Sequence, residues 1–223
     1  MTTKMQDTII LFDLDGTLIE STEAIVGCFY HSFRELKYDF QGDTEDIKNE
    51  IGYPLDIMYT ALGVPQEKVW DFVASYKKKY KKVSEEKTTL LPHALEAVRV
   101  ASTFARLGIV TTKTTLYTIP LLKNFKLFDY FETIIGRQEV THPKPHPEPI
   151  ENALKSLNAT KSNNVYMIGD TKLDIISANT AGVKGVAVLA GYGKKEELKC
   201  YTNAIYNGAL EAVLAIKNNE IKS

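Results

Sequence analysis

The sequence predicts an α/β fold in which a parallel sheet is flanked by helices and is interrupted once by a helical insertion. Three observations lead to this prediction. An apolar run close to the N-terminus is typical of a buried strand, residues 22–82 carry helical patterns with hardly any strand signal, and strand and helix patterns alternate from about residue 88. Such alternation favours parallel strands that are covered on both faces, with functional loops at their carboxyl ends.

The first strand is predicted at 8–12, and four helices are predicted in the insertion. Hydrophobic residues three and four positions apart predict these helices, which are 23–36, 44–51, 54–62 and 66–82. Gly63 and Pro65 separate the third helix from the fourth, because proline suits a first helical turn. On the fourth helix we interpret a run of lysines as a solvated face and an aromatic stripe as core packing. The stripe is Trp70, Phe72, Val73, Tyr76 and Tyr80.

Strands and helices alternate in the second part of the chain. The strands predicted there are 105–111, 132–135, 165–168 and 185–189, and the helices are 92–101, 115–125, 147–157, 172–181 and 208–217. The change of pattern places one domain at 1–18 and 85–223 and an inserted helical domain at 19–84.

Two aspartates, Asp13 and Asp15, follow the first strand two positions apart. Side chains at this spacing on an extended chain point the same way, so the two carboxylates can face one site. Like charges so close are costly unless a cation or a shared proton compensates them, which favours a metal or acid/base role. The alternative is a solvated turn rich in aspartate and glycine.

Three further segments carry polar residues at or after predicted strand ends. Thr111 ends an apolar run, and Lys144 lies between two prolines that hold its backbone extended. Asp170 and Asp174 follow a strand that ends in glycine. Each segment also has a plain structural interpretation. Thr111 can be an ordinary β-branched strand residue and Lys144 a solvated loop charge, and the two aspartates can be acids at a helix N-terminus.

Taken in order, the four segments resemble the four motifs of the haloacid dehalogenase superfamily. The first segment reads Asp-x-Asp-Gly-Thr at the end of the first strand, as in the phosphatases of that superfamily. The resemblance implies that Asp13 is the nucleophile and that Asp15 is the general acid/base. It further implies a magnesium site, made of Asp13, the backbone carbonyl of Asp15, Asp170 and, directly or through water, Asp174.

The resemblance also implies a phosphate site. The hydroxyl of Thr111 is expected to hold the transferring phosphoryl group, with Thr112 beside it, and Lys144 is expected to neutralise the nucleophile and the phosphate. Two positions depart from the family pattern without removing a catalytic group. Thr112 stands where many relatives have Asn, and Glu20 stands where many have Asp.

The chain is similar in particular to the phosphoglycolate phosphatase-like members, which insert a small α-helical cap into a Rossmann-like core between the first and second motifs. Residues 50–55 resemble a cap loop of the pattern Ile-Gly-x-Pro-Leu. The resemblance implies that Tyr53, in this loop, contacts the part of the substrate beyond the phosphate. The alternative is that Tyr53 only packs the cap or faces solvent.

The resemblance implies a magnesium-dependent hydrolase of a small phosphate monoester that works through an aspartyl-phosphate, with 2-phosphoglycolate as the preferred substrate. A pyrophosphatase or a nucleotidase is the alternative within the family. A phosphate-binding regulatory protein that has lost turnover is the third hypothesis. The intact acidic residues and Lys144 argue against this third hypothesis.

Composition limits the partners. A net charge of −1, from 27 basic and 28 acidic residues, gives no field for a polyanion, so we expect a small phosphorylated metabolite as partner and no nucleic acid. Residues 1–6 lack the pattern of a signal peptide, and no later apolar stretch has the length of a membrane span. We therefore expect a cytoplasmic monomer or homodimer that binds no membrane. His142 and His146 are interpreted as loop residues and Cys28 and Cys200 as reduced thiols.

Overall fold

The structure is a computed structural model and describes residues 8–161 and 164–221. Among these residues the chain divides into two compact units, one formed by 8–20 with 90–221 and the other by 21–89. The boundaries inferred from the sequence lay after residues 18 and 84. The names catalytic core and cap for the two units stay predictions until function is tested.

The strands and helices follow the chain in this order. The strands are β1 (Thr8–Phe12), β2 (Ile19–Glu20), β3 (Thr89–Leu90), β4 (Ala105–Val110), β5 (Thr133–Ile135), β6 (Val165–Gly169), β7 (Lys184–Val188) and β8 (Ile205–Tyr206). The helices are α1 (Thr22–Glu35), α2 (Thr44–Asn49), α3 (Leu55–Ala61), α4 (Val69–Val83), α5 (Ala94–Ser102), α6 (Thr115–Asn124), α7 (Glu148–Ser156), α8 (Lys172–Ala181), α9 (Lys195–Leu198) and α10 (Ala209–Lys217). Short 3₁₀ turns occur at Gln66–Lys68, Phe128–Tyr130 and Arg137–Glu139.

The larger unit is built on a parallel sheet in the order β5-β4-β1-β6-β7-β8. Alternate residues of β1 belong to two separate cores, since Ile10 packs with side chains of α5 and α10 while Leu11 packs with side chains of α7 and α8. Opposite faces of the sheet are therefore covered by different helices. This arrangement confirms the predicted α/β fold with a parallel sheet flanked by helices.

The position of β1 determines where the site forms. β1 lies between β4 and β6, and Ile10 is in register with Leu107 on one side and Tyr166 on the other. Parallel neighbours end at the same edge of a sheet, about 4.8 Å apart. The residues that follow β1, β4 and β6 are therefore brought together.

The smaller unit, residues 21–89, is helical with an aromatic centre. The rings of Phe29 and Tyr59 lie 4.5 Å apart, and the hydroxyl of Tyr59 shares a hydrogen bond of 2.7 Å with that of Ser32. Phe72 and Tyr76 of α4 pack against the same rings. The aromatic groups thus bury a common core, which offsets the entropy of ordering the helices.

One residue of the predicted aromatic stripe is not in this core. Trp70 is 63% exposed, so its interpretation as a core residue was wrong. The helix α4 begins at Val69, which is buried, and Trp70 lies about 100° further around the helix. It shares its face with Ala74 and Lys78, which are also exposed.

Most predicted elements are present with small shifts at their ends. The strand at 8–12 and the helix at 172–181 have the predicted bounds, and the helix predicted at 66–82 is divided into a 3₁₀ turn and α4. The sequence analysis missed β2, β3, β8 and α9, which are two to four residues long. In the described ranges no helix has both the length and the apolar character needed to cross a membrane.

Candidate active site

The backbone at the end of β1 holds Asp13 and Asp15 in a tight turn. The N–H of Asp13 donates to the carbonyl of Ile168 at 2.9 Å, which extends the pairing of β1 with β6 by one residue. Gly16 has a φ of 77°, a conformation that favours glycine, and its N–H donates to the carbonyl of Ile19 at 2.9 Å. The chain therefore reverses directly after the two aspartates.

Three buried carboxylates come together at the ends of β1 and β6. Asp13, Asp170 and Asp174 each offer an oxygen, and these atoms lie within 4.8 Å of one another. Asp13 is 6% exposed and the other two are fully buried. The neighbouring backbone leaves no room for larger residues, since a Cβ at Gly169 would overlap the side chain of Asp174. The side chain of Asp15 does not belong to this group.

The carboxylate group carries more negative charge than its surroundings compensate. Burial, reinforced by repulsion from Asp174, raises the pKa of Asp13 to about 7, although Lys144 opposes the shift. Burial also raises the pKa of Asp170 well above its ordinary value, with repulsion from Asp174 and Asp13 as the next causes. A divalent cation bound by carboxylate oxygens would remove this repulsion, so the donor set fits magnesium.

Lys144 is the cation at the centre of the group. Its ammonium lies 2.9 Å from Oδ1 of Asp13 and 2.5 Å from Oδ1 of Asp174, and it donates to the carbonyl of Val110 at 3.1 Å. Burial alone would lower the pKa of Lys144, but the two carboxylates outweigh burial and hold the pKa above its ordinary value. An ammonium has three N–H donors, and here they have three acceptors.

Hydrogen bonds fix the carboxylates of the fourth motif. Asp170 accepts from the hydroxyl of Thr17 at 3.1 Å and from the N–H of Tyr192 at 2.8 Å. Asp174 uses Oδ2 to accept from the N–H and the hydroxyl of Thr171, at 3.0 and 2.9 Å, and Oδ1 to hold Lys144. Both oxygens of each carboxylate are therefore held in place, and the contact of Asp174 with a metal, directly or through water, stays a prediction.

The second motif follows β4 directly. Thr111 is buried, its N–H donates to the carbonyl of Ile135 at 2.9 Å, and its hydroxyl accepts from the N–H of Lys113 at 3.2 Å. Thr112 is half-buried. The preceding carbonyl, that of Val110, accepts from Lys144, which connects the end of β4 to the carboxylate group. The roles of Thr111 and Thr112 in phosphate binding stay predictions.

Lys113 is a charged residue of the site that the sequence analysis did not assign. Its ammonium lies 3.0 Å from Oδ2 of Asp15, and the two side chains are 8% and 14% exposed. The signal that could have found it is a lysine two positions after the threonine of the second motif. Asp13 and Asp15 therefore have different lysine partners, Lys144 and Lys113.

The histidines of the third-motif loop lie in a second cluster with Glu148. This carboxylate accepts from the N–H of Thr141 at 2.7 Å, the N–H of His142 at 2.8 Å and Nδ1 of His142 at 2.9 Å. Nδ1 of His146 accepts from the N–H of Glu148 at 3.1 Å. The polar groups thus hold the loop to the start of α7, which agrees with the loop roles expected for His142 and His146.

Tyr53 belongs to the unit 21–89. It is half-buried, and its N–H donates to the carbonyl of Glu50 at 3.1 Å. Gly52, with a φ of 114°, precedes it, and Pro54 follows at the start of α3. The loop is therefore a constrained turn between α2 and α3, and the specificity role of Tyr53 stays a prediction.

Comparison with known proteins agrees with the order of the motifs. A family model described as haloacid dehalogenase-like hydrolase matches residues 10–188, which include every motif residue discussed above. The chain belongs to the haloacid dehalogenase-like hydrolase family. Within that family it is a phosphatase by its motifs and its relatives.

Two curated relatives carry the name Pyrophosphatase PpaX. The protein from Halalkalibacterium halodurans is 34% identical over 194 residues, which cover 86% of this chain and 87% of the relative. The protein from Bacillus cereus strain G9842 is 31% identical over 220 residues, which cover 98% of this chain and all of the relative.

Solved structures show the same fold. A haloacid dehalogenase-like family hydrolase from Streptococcus pneumoniae has a TM-score of 0.83 at 28% identity, with 94% of this chain and 98% of that chain covered. A predicted phosphoglycolate phosphatase from Haemophilus somnus has a TM-score of 0.85 at 21% identity, with 96% and 100% covered. At that identity the second likeness concerns the fold alone.

Proposed function

We propose that this protein is a magnesium-dependent phosphatase that forms a phosphoryl-aspartate on Asp13, and that pyrophosphate is its preferred substrate. The observation that carries the proposal is the buried group of Asp13, Asp170 and Asp174 around the ammonium of Lys144. Such a group is costly to fold, because like charges are brought together in a place with little water. A reaction that needs a charged nucleophile beside a cation accounts for the presence of this group in the fold.

In the proposed reaction an oxygen of Asp13 attacks phosphorus, and the bond from phosphorus to the leaving oxygen breaks. Protonated Asp15 gives its proton to that leaving oxygen, and then removes a proton from the water that hydrolyses the phosphoryl-aspartate. Thr111 donates a hydrogen bond to the phosphoryl oxygens, and Lys144 holds the carboxylate of Asp13 in place. One residue, Asp15, thus serves both halves of the reaction.

Asp13, Asp170 and the backbone carbonyl of Asp15 are the groups that would hold magnesium, with Asp174 contacting it directly or through water. When bound, the ion supplies positive charge that reduces repulsion between the carboxylate and an incoming phosphate dianion. The excess negative charge of the buried group supports this assignment.

Pyrophosphate is preferred to 2-phosphoglycolate as the substrate because the curated relatives named Pyrophosphatase PpaX are 31–34% identical over most of the chain. The sequence resemblance had favoured 2-phosphoglycolate, which stays the second candidate. Two of the similar solved structures are named phosphoglycolate phosphatases, but they are only 20–21% identical to this chain. We further propose that the protein acts in the cytoplasm, as a monomer or homodimer, on small phosphorylated metabolites without a nucleic acid or membrane partner.

Phosphate release from a substrate panel tests the proposal. The panel contains pyrophosphate, 2-phosphoglycolate and a nucleoside monophosphate, each with magnesium and each repeated with the Asp13→Asn variant. We expect the highest kcat/KM with pyrophosphate and no release by the variant. A higher kcat/KM with 2-phosphoglycolate would reverse the order of the two substrates. Failure to hydrolyse every compound of the panel would refute the proposed phosphatase activity and favour a phosphate-binding regulatory protein.

A further inference from the structure

The ion pair of Lys113 with Asp15 has no part in the reaction as derived so far. We propose that Lys113 is a specificity-determining residue that binds a second negative charge on the leaving group. That charge is the distal phosphate of pyrophosphate or the carboxylate of 2-phosphoglycolate, which share the chemistry of an anion beyond the scissile bond. The proposal rests on the proposed function, because it uses Asp15 as the proton donor to the leaving oxygen.

The donors of the two lysines support a division of labour. The three N–H groups of Lys144 are engaged by Asp13, Asp174 and the carbonyl of Val110. Lys144 is therefore committed to the nucleophile side of the site. Lys113 is paired with the carboxylate of Asp15. Because the proposed reaction has Asp15 protonate the leaving oxygen, Lys113 is assigned to the leaving-group side of the scissile bond.

The distances place Lys113 within reach of the leaving group. A general acid must lie about 2.6–3.2 Å from the oxygen that it protonates. The ammonium of Lys113 is 3.0 Å from Oδ2 of Asp15. When Oδ2 carries the proton, the ammonium lies within about 6 Å of the leaving oxygen, which is the sum of two hydrogen-bond lengths. The second phosphorus or the carboxylate carbon is one or two covalent bonds beyond that oxygen, where a long lysine side chain can contact it.

The backbone of Lys113 is held on both sides, which makes the ammonium a positioned group. Its N–H donates to the hydroxyl of Thr111 at 3.2 Å, and its carbonyl accepts from the N–H of Arg137 at 3.1 Å. Gly136 allows this approach, since a Cβ there would lie 2.6 Å from the carbonyl oxygen of Lys113. A lysine whose backbone is fixed loses less entropy when it binds an anion.

The low exposure of the pair makes its charge effective. Lys113 and Asp15 are 8% and 14% exposed, so little water screens the ammonium. A second anion beside Asp15 would otherwise lose water without gaining an opposite charge. Lys113 supplies that charge, which a neutral leaving group cannot use.

The alternative is that Lys113 only orients Asp15. An orienting residue acts on proton transfer to every leaving group, so its loss would lower kcat/KM by a similar factor for all substrates. A residue that binds the second charge acts on charged leaving groups alone. The two roles therefore differ in how the loss is distributed among substrates.

The test compares wild type with Lys113→Met, which keeps the length of the side chain and removes its charge. The substrates are pyrophosphate and 2-phosphoglycolate, whose leaving groups are charged, and 2-hydroxyethyl phosphate and 4-nitrophenyl phosphate, whose leaving groups have no second anion. We expect kcat/KM to fall roughly 10- to 100-fold more for the first two than for the others. A uniform fall across the four substrates would overturn the proposal.

Two controls complete the test. Lys199→Met removes an exposed lysine paired with Glu196 in the same unit, and it should change none of the four rates. Binding of imidodiphosphate, a pyrophosphate analogue that resists hydrolysis, is measured by calorimetry and should weaken by the same 10- to 100-fold in Lys113→Met. Lys113→Gln replaces this variant if Met prevents folding. Unchanged imidodiphosphate binding overturns the Lys113 role, whereas inactivity of the wild type on all four substrates refutes the phosphatase itself.

Discussion

The ammonium of Lys144 lies 2.9 Å from Oδ1 of Asp13, although the two residues come from distant parts of the sequence. Asp13 directly follows β1, and Lys144 lies in the loop that precedes α7. The resemblance to known motifs predicted this neighbourhood, and the structure brings the two groups together. The contact holds the carboxylate of Asp13 in one orientation.

Asp13→Asn is expected to lower kcat by at least about 10³-fold, because an amide cannot attack phosphorus although it nearly matches the carboxylate in shape. The measurement is phosphate release by the purified variant, with its circular dichroism spectrum and melting temperature compared with those of wild type. Substantial turnover by a folded variant would rule out Asp13 as the nucleophile.

Asp15→Asn is expected to be most impaired with leaving groups that need a proton. Rates with an alkyl phosphate should fall by about 10²–10⁴-fold, and rates with 4-nitrophenyl phosphate should fall much less, because nitrophenolate leaves without protonation. Comparison of kcat for the two substrates checks this prediction. Equal losses would place the general-acid role in another residue.

Removal of the metal is expected to stop turnover. EDTA should abolish phosphate release and magnesium should restore it, whereas calcium should bind without supporting much turnover because its coordination shell is larger and looser. Asp170→Ala should raise the magnesium concentration needed for half-maximal rate by more than about 10-fold. Full activity in the presence of chelator would refute the site as described.

Asp170→Asn is expected to stabilise the metal-free protein. Because the pKa of Asp170 is raised in the fold, the protonated carboxyl of Asp170 stabilises the folded state at low pH. This stabilisation is lost as the pH rises from the pKa of the unfolded state through the higher pKa of the folded state. The amide in Asp170→Asn is uncharged at every pH, so the variant does not lose this stability. Its NH₂ group can donate to the hydroxyl oxygen of Thr17, and its carbonyl oxygen can accept from the N–H of Tyr192. The melting temperature in EDTA should rise at pH 8 by about 2–4 °C per kcal/mol gained.

The gain in Asp170→Asn should be smaller at pH 5 than at pH 8, and saturating magnesium should reverse the order, because only wild type binds the ion well. A variant that melts below wild type in EDTA at pH 8 would show that the carboxylate stabilises the metal-free fold. The melting temperature of Lys199→Met, measured in the same way, shows how much the removal of an exposed lysine changes stability.

Tyr53→Ala is expected to change the ranking of substrates more than the hydrolysis of 4-nitrophenyl phosphate. The expected reason is that Tyr53 contacts the substrate beyond the phosphate, while phosphate contacts are shared by all substrates. Measurement of kcat/KM for several phosphate esters in wild type, Tyr53→Ala and Tyr53→Phe checks this. If kcat/KM changes by the same factor for every ester, Tyr53 has no role in specificity and only packs within its own unit.

The sequence was sufficient for five of the six strands of the described parallel sheet and for the identity of the motif residues, because apolar runs and conspicuous polar residues carry local signals. The sequence did not reveal that Lys113 belongs to the site. Its partner Asp15 is distant in the sequence, and a single lysine gives no periodic signal. Trp70 was misplaced because the helix phase depends on where α4 begins. The two-residue strand β8 depends on its pairing with β7 and has no signal of its own.

The central position of β1 has a consequence for the order in which this protein is made. β1 comprises residues 8–12, but its neighbours β4 and β6 begin at residues 105 and 165. During synthesis β1 leaves the ribosome before both of them and stays unpaired until they follow, whereas residues 21–89 form contacts within their own segment. The carboxylate proposed to start the reaction is therefore synthesised long before the strands that complete its working environment.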